Sequence, residues 1–272
     1  MISIIIPSYN HQNFIKKTLD YVLEDEFKDK ELVIIDDGST DNSPKIISDW
    51  VEQNKDNLSI TYKHRPNKGL NATINELISL SKGEYIVMMG SDDYLLKGGL
   101  QKRYDYLTKH PDKKAVFADA VLIDKDDNIL YESMLFEFRG YPRDAFKDSK
   151  SIKDTLLKRF VLAGPILMVK KELYDEIGLY DENLLAEDLD FYLRVIPKNL
   201  VGFIPEKVSA YRVHDTNQSI GNIKPKLLKD SRISFLKHMH LYELKDKPKM
   251  LWNALKFFIR EKLLEIKLLL KS

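Results

Sequence analysis

Glu84-Tyr85-Ile86-Val87-Met88-Met89-Gly90-Ser91-Asp92-Asp93 is an apolar run that ends in two adjacent carboxylates. A short continuous apolar run closed by a turn signal reads as a strand buried on both faces. The carboxylate pair then lies where the strand stops and the sheet opens to solvent. Two like charges side by side in a cleft repel each other, and a divalent cation relieves that repulsion. The competing local reading is a helix N-cap by Ser91 or Asp92.

The same pattern repeats along the first 125 residues. Ile2–Ile6, Leu32–Ile35, Ser59–Tyr62 and Ala115–Phe117 are further strand-like runs. Amphipathic stretches near 14–24, 42–54, 70–81 and 97–109 alternate with them. This rhythm predicts βαβ units and a mainly parallel sheet flanked by helices, in which ligands bind beyond the carboxyl ends of the strands. Those ends carry Pro7-Ser8-Tyr9-Asn10, Asp36-Asp37-Gly38-Ser39, His64-Arg65-Pro66-Asn67-Lys68-Gly69 and Ser91-Asp92-Asp93. From 126 to 223 the pattern loosens, with turn signals at 124–128, 140–142 and 164–165. A helix is expected from Glu187 to just before Pro197. Residues 224–272 read as a helical extension broken at Pro248. The expected units are 1–223, comprising a nucleotide-binding half (1–125) and an acceptor-binding half (126–223), and the extension 224–272.

With 43% hydrophobic residues in 272, the chain can bury a core, which argues against disorder. A formal charge of +1 gives no field for nucleic acid. Cysteine is absent, which excludes disulfides, thiolate metal sites and cysteine nucleophiles. The longest uncharged apolar stretch, 160–169, is too short to span a bilayer, and no signal peptide is apparent. A cytoplasmic location is expected.

Several residues carry chemistry, each with a plainer alternative. Tyr9 can stack on a planar base or simply pack. Asp36-Asp37 can accept hydrogen bonds from a base or ribose, or form a turn and cap. Arg65 and Lys68 can neutralise phosphate. Glu187-Asp188-Leu189-Asp190 opens a helix with three acids, favoured there by the helix dipole in any case. One of them, fixed at a helix start, can serve as a general base. His214, after Tyr211-Arg212-Val213, reads as a ligand or a surface histidine. His11 and His64 also lie at strand ends.

Taken together, the segments 4–10, 31–41, Asn67-Lys68-Gly69 with Asn75, 82–86, Ser91-Asp92-Asp93, Ala163-Gly164-Pro165, 178–182, 186–191 and 211–214 resemble, in order and spacing, the family 2 inverting glycosyltransferases with the GT-A-type fold. The resemblance covers residues 2 to 220. It implies that Pro7, Tyr9 and Asp37 hold the nucleotide base and its neighbourhood, with Asp36 in support and Asn67 and Lys68 on the donor side. Asp92 would contact the ribose or the metal's water shell. Asp93 would ligate Mn2+ or Mg2+, with His214 approaching the metal or diphosphate. Asp188 would be the base and Glu187 would shape the acceptor side. The family often carries an Asp where this chain has Gly90, and a basic residue where it has Ile74.

The implied reaction is an in-line displacement in which a nucleotide-sugar, by default a UDP-sugar, gives its sugar to a hydroxyl of a saccharide or lipid-linked saccharide. The setting implied is surface polysaccharide or lipopolysaccharide assembly. Residues 245–272 hold eight Lys/Arg against three Asp/Glu. Leu255, Ile259, Leu263, Ile266 and Leu270 share one helical face, and Asn253, Lys256, Arg260, Lys267 and Lys271 lie towards another. Such a helix fits an anionic membrane surface, or packs on the catalytic domain or a second subunit. The rival readings are a nucleotidyltransferase, which lacks a Gly-rich triphosphate loop here, and an inactive family member acting as an assembly partner.

Overall fold

The computed structural model describes residues 1–160, 162, 164–214 and 224–270. Strands β1 (Ile2–Ser8), β2 (Lys30–Asp36), β3 (Ser59–His64) and β4 (Tyr85–Met88) alternate with helices α1 (Ile15–Glu24), α2 (Ser43–Asn54) and α3 (Leu70–Leu80). Next come β5 (Tyr94–Leu95), α4 (Gly99–Lys109), β6 (Ala115–Ile123), β7 (Ile129–Tyr131) and a single π-turn at Met134–Phe138. The chain continues through α5 (Ser149–Lys158), β8 (Leu167–Lys170), α6 (Leu173–Ile177), α7 (Glu187–Val195), β9 (Val201–Arg212), α8 (Pro225–His238) and α9 (Lys247–Leu269).

The sheet order is β3-β2-β1-β4-β8-β6-β9-β5, with β7 on β6. β1 to β4 pair in parallel, and so do β6 and β9. β8 runs antiparallel between β4 and β6. Because β8 opposes both neighbours, β4 and β6 point the same way. The carboxyl ends of β1, β2, β4, β6 and β9 therefore share one edge. This is the mainly parallel, helix-flanked layout expected from the strand rhythm, and it fits the GT-A-type fold that the resemblance implies, with an antiparallel strand that the rhythm did not reveal.

Alternate residues of the strands feed two cores. Ile2, Ile4, Ile6, Leu32, Ile34 and Val87 pack with Ile15, Leu19, Ile47 and Leu100 of α1, α2 and α4. Ile5, Val33, Ile35 and Ile86 pack with Ile74 and Leu77 of α3 and, further on, with Phe191 of α7 and Phe235 of α8. Burial on both faces explains the continuous rather than alternating apolar strands. Each such side chain removed from water contributes about 1.5–3 kcal/mol.

The C-terminal helices differ from expectation. The break falls at 239–246, where a 3-10 turn (Met239–Leu241) and a short connection separate α8 from α9. Pro248 does not break a helix but sits in the first turn of α9, where its missing N–H costs nothing. Asn253, expected on the polar outer face, is buried, and its amide donates to the Leu157 carbonyl at the end of α5. Met250, Ala254 and Glu261 share that inward side, whereas Leu251, Trp252, Leu255, Phe258, Ile259, Leu263 and Ile266 are exposed. Lys271 lies outside the described residues. No helix of the described residues is long and apolar enough to cross a membrane.

This sidedness makes a stability contrast. Met250→Ala should cost about 2–5 kcal/mol, and Leu255→Ala should stay within about 0.5 kcal/mol, both read by urea denaturation. Equal costs would mean that α9 does not pack by the Met250 face.

Candidate functional site

The loops after β1 and β2 interlock. Asp36 closes β2 with its carboxylate accepting from Ser39 N–H at 2.9 Å and Ser39 Oγ at 2.7 Å, and with His64 Nδ1 at 3.0 Å. Asp37 accepts from the backbone N–H of Lys68 and of Gly69, each at 2.9 Å, and pairs with Arg65. Two buried carboxylates thus fold the β2–α2 and β3–α3 loops onto each other. Gly38 is required between them. Its φ is +78°, and a Cβ there would lie 2.6 Å from the Asn67 backbone nitrogen. Tyr9 is left half-exposed, and Asn67 and Lys68 are also exposed. Pro7 lies within β1, opposite Ile35.

A second group forms where β1, β4 and β9 end. His214 Nε2 lies 2.8 Å from Asp92 Oδ2, and His11 Nδ1 lies 4.0 Å from Asp92 Oδ1. One ligating atom from each of His11, Asp92 and His214 falls within 4.8 Å of the others. The two imidazoles meet edge to face at 5.6 Å, and Phe14 backs His214 at 4.8 Å. His11 Nδ1 is also 2.7 Å from Ser91 Oγ. Burial lowers the pKa of His11, favouring the neutral imidazole a metal needs. Burial would raise that of Asp92, but the hydrogen bond with His214 and the charges of His11 and His214 outweigh it, and the carboxylate is held ionised. Ligands 2.0–2.2 Å from one divalent ion stand roughly 3 Å apart. The three groups therefore need only small rotamer adjustments to share one.

Asp93, expected as the metal ligand, is not in this group. Asp93 turns inward, and its Oδ1 accepts the Arg212 backbone N–H at 2.9 Å. Burial and then the charge of Asp92 raise its pKa well above the usual carboxylate range. Asp92, not Asp93, is the carboxylate that lies with His11 and His214. Gly90 explains how both fit: a Cβ there would meet Asp92 Oδ1 at 2.6 Å and Asp93 Oδ2 at 2.7 Å.

The third group opens α7. Glu187 and Asp188 are half-buried on its first turn. Burial pushes Glu187 up to about 7. Burial, then the neighbouring Glu187 charge, raises Asp188 well above its ordinary value. Asp188 in turn lies near the phenols of Tyr174, Tyr180 and Tyr192, each of which it helps to raise. Asp190 is spent on structure, with one oxygen 2.7 Å from His238 Nε2 and the other 3.1 Å from Arg194 Nε. The segment leading into α7 is held by α3. Asn71 donates to the carbonyls of Asp181 and Leu184 at 2.7 and 2.8 Å. Asn75 donates to the Tyr180 carbonyl and accepts the Tyr180 N–H, both at 2.9 Å.

Folded pKa values above the free ones mean that Glu187 and Asp188 keep protons that the unfolded chain has lost. Their contribution to stability is complete below the ordinary carboxylate range. It is lost as pH rises through about 7 for Glu187.

Residues not foreseen at the site are His11, Asn71 and Arg212. His11 was visible at a strand end, but only the fold brings it to Asp92. Ala163, part of one matching motif, lies outside the described residues.

Comparison with known proteins follows the same lines. The profile of Glycosyl transferase family 2 matches residues 3–178. An uncharacterized glycosyltransferase of Methanocaldococcus jannaschii is 26% identical over 232 residues, 84% of this chain and 76% of that protein. The glycosyltransferase GlyG of Streptococcus pneumoniae is 25% identical over 222 residues, covering 78% and 70%. Among solved structures, S. aureus TarS 1-349 in complex with UDP-GlcNAc superposes with a TM-score of 0.71 at 19% identity, covering 94% of this chain and 72% of that one. A mannosyltransferase of Pyrobaculum calidifontis in complex with GDP-Man and Mn2+ gives 0.61 at 16% identity, covering 97% and 80%. The fold, the order of the loops and the profile agree: this chain is a glycosyltransferase and belongs to glycosyl transferase family 2.

Proposed function

We propose that the chain is a metal-dependent, inverting transferase that moves a sugar from a nucleotide-sugar, by default a UDP-sugar, to a hydroxyl of a saccharide or lipid-linked saccharide in surface polysaccharide or lipopolysaccharide assembly. The observation that carries this reading is the His11–Asp92–His214 group at the strand ends, and a second acidic group, Glu187–Asp188, whose protons are retained to unusually high pH, supports it. Two solved relatives in fold are complexes with UDP-GlcNAc and with GDP-Man and Mn2+, which supports a nucleotide-sugar donor.

His11, Asp92 and His214 would hold the ion, which supplies charge stabilisation for the departing diphosphate. Tyr9, half-exposed, is available to stack on the base, and the loop built on Asp37 leaves Asn67 and Lys68 exposed for the donor. Asp36 shapes this region through Ser39 and His64. Asp188, in a partly dry setting of phenols, is a stronger base than a solvated carboxylate once ionised. It would take the proton of the acceptor hydroxyl as that oxygen attacks the anomeric carbon on the face opposite the leaving diphosphate. The product then has inverted configuration. Glu187 would tune Asp188 and border the acceptor.

The exposed apolar face of α9 is flanked by Lys256, Arg260 and Lys267. This fits peripheral binding to the anionic inner face of the cell membrane, where a lipid-linked acceptor resides.

Three outcomes check these assignments. Mn2+ affinity, measured by electron paramagnetic resonance of free ion, should fall at least about tenfold in Asp92→Asn and in His214→Ala. Asp93→Asn should fall less. The reverse order would return the ligand role to Asp93. Next, Asp188→Asn should lower kcat by about 10²–10⁴-fold with the fold intact by circular dichroism. In the wild type kcat/KM should climb with pH to a plateau, and Glu187→Gln should move that limb to lower pH by removing a like charge. Full activity in Asp188→Asn would eliminate the base. Finally, Leu255→Glu/Ile259→Glu/Leu263→Glu should abolish co-sedimentation with phosphatidylglycerol vesicles. Unchanged sedimentation would exclude this face as the membrane contact, and dissociation of an oligomer instead would assign it to a second copy.

A further inference from the structure

Tyr192 of α7 is 1% exposed, and its hydroxyl has no hydrogen-bond partner. Among the described residues no other tyrosine hydroxyl is buried in this condition. The other two phenols around Asp188, Tyr174 and Tyr180, bond to each other. A buried hydroxyl without a partner destabilises the fold, and phenylalanine would fill the same space without that cost. Such a liability, kept in an otherwise well-packed helix, marks a group that serves function.

The geometry of α7 puts this hydroxyl beside the proposed base. Asp188 and Tyr192 are four residues apart within the helix, so they share one face a single turn apart. Long side chains on a helix lean back toward its N-terminus, which carries the phenol along the turn that holds Asp188. The ring is wedged among Phe160 at 5.4 Å, Phe191 at 5.5 Å and Phe117 of β6 at 6.1 Å. None of these rings offers an acceptor. After burial itself, the charge of Asp188 is the largest influence on the phenol.

The other groups around Asp188 have different work. Glu187 precedes it on α7 and is a like charge. Tyr174 belongs to α6 and Tyr180 to the segment before α7, and they are spent on one another. Arg194, six residues on, lies on another face of the helix, and with His238 of α8 it is bound to Asp190. Arg194 also donates to the carbonyls of Ile177 and Gly178, each at 2.7 Å. A carboxylate that ionises in so dry a place needs a donor.

We infer that Tyr192 is a positioning residue for Asp188: its hydroxyl donates to one oxygen of the ionised carboxylate and leaves the other oxygen to take the acceptor's proton. Tyr192 keeps its own proton throughout. A hydrogen bond to the charged form favours that form, so the phenol brings the base into use at lower pH. The inference rests on Asp188 as the base, and the experiment separates the two.

The first readout needs no substrate. Tyr192→Phe removes only the hydroxyl, and thermal melting should show the variant at least as stable as the wild type. Carbon-13 carboxylate NMR, with Asp188 assigned by its loss in Asp188→Asn, should show its titration moved up by about one pH unit in Tyr192→Phe. The second readout is hydrolysis of UDP-GlcNAc or GDP-Man with Mn2+. The rising limb of kcat/KM should move up by the same amount, which lowers kcat/KM about tenfold at any pH below the limb. The donor KM should stay within twofold. In an Asp188→Asn background Tyr192→Phe should change nothing further, because the two residues act as a unit. Incorporating 3-fluorotyrosine in place of Tyr192 makes a stronger donor and should move the titration the opposite way; it carries the test should Tyr192→Phe fail to fold. An Asp188 titration that neither replacement moves overturns the proposal. So does an unmoved limb where Asp188→Asn is inactive. Full hydrolysis by Asp188→Asn sinks the base reading instead, and the titration alone then decides whether the hydroxyl bonds Asp188.

Discussion

The site depends on one buried cation, Arg212 at the end of β9. Its Nε donates to the Asp92 carbonyl at 2.7 Å, its Nη1 to the Asp124 carbonyl at 3.0 Å, and its Nη2 pairs with Asp127 at 2.7 Å. Its own N–H binds Asp93. A single residue thereby ties the ends of β4, β6 and β9 together. A guanidinium so deeply buried is tolerable only with its donors satisfied and a counter-charge at hand. Phe14 and Tyr94 pack against it at 5.0 and 5.7 Å. With Arg212 fixed, His214 follows two residues later and falls on Asp92. Thr18 of α1 completes the clamp, donating to the Asp93 carbonyl at 2.7 Å.

Much of this was legible from the chain. β1, β2 and β4 emerged because residues buried on both faces leave continuous apolar runs, and α1 to α3 and the edge strand β3 because each loop opens with turn-forming residues. The start of α7 at Glu187 was equally clear. What pattern cannot show is direction. Asp92 and Asp93 are chemically identical neighbours, and only the turn geometry decides which one meets His214 and which one the Arg212 backbone N–H. β9 was legible only as a short strand before His214, for a different reason. Its middle, Ile204-Pro205-Glu206-Lys207, is partly exposed and carries proline and charge, so it reads as loop although it spans 12 residues in the strand.

The tail illustrates the same limit. Periodicity correctly grouped Leu255, Ile259, Leu263 and Ile266 on one face but could not tell which face meets the protein. The helix packs through Met250, Asn253, Ala254 and Glu261 and leaves Leu255, Ile259, Leu263 and Ile266 outside. Burial here follows the packing on α8, through Phe235–Phe257 and Arg232–Glu261, and the bond to the Leu157 carbonyl of α5. Hydrophobicity alone would have predicted the opposite orientation.

The means by which α3 holds the approach to α7 has a consequence of its own. Asn71 and Asn75 grip residues 180–184 through neutral amides, four bonds to backbone groups in all. Dissolved electrolyte weakens the partly exposed Lys237–Asp181 contact on the same segment, yet it leaves dipolar bonds of this kind almost untouched. The segment that carries Asp188 is therefore moored in a way that tolerates large swings in ionic strength.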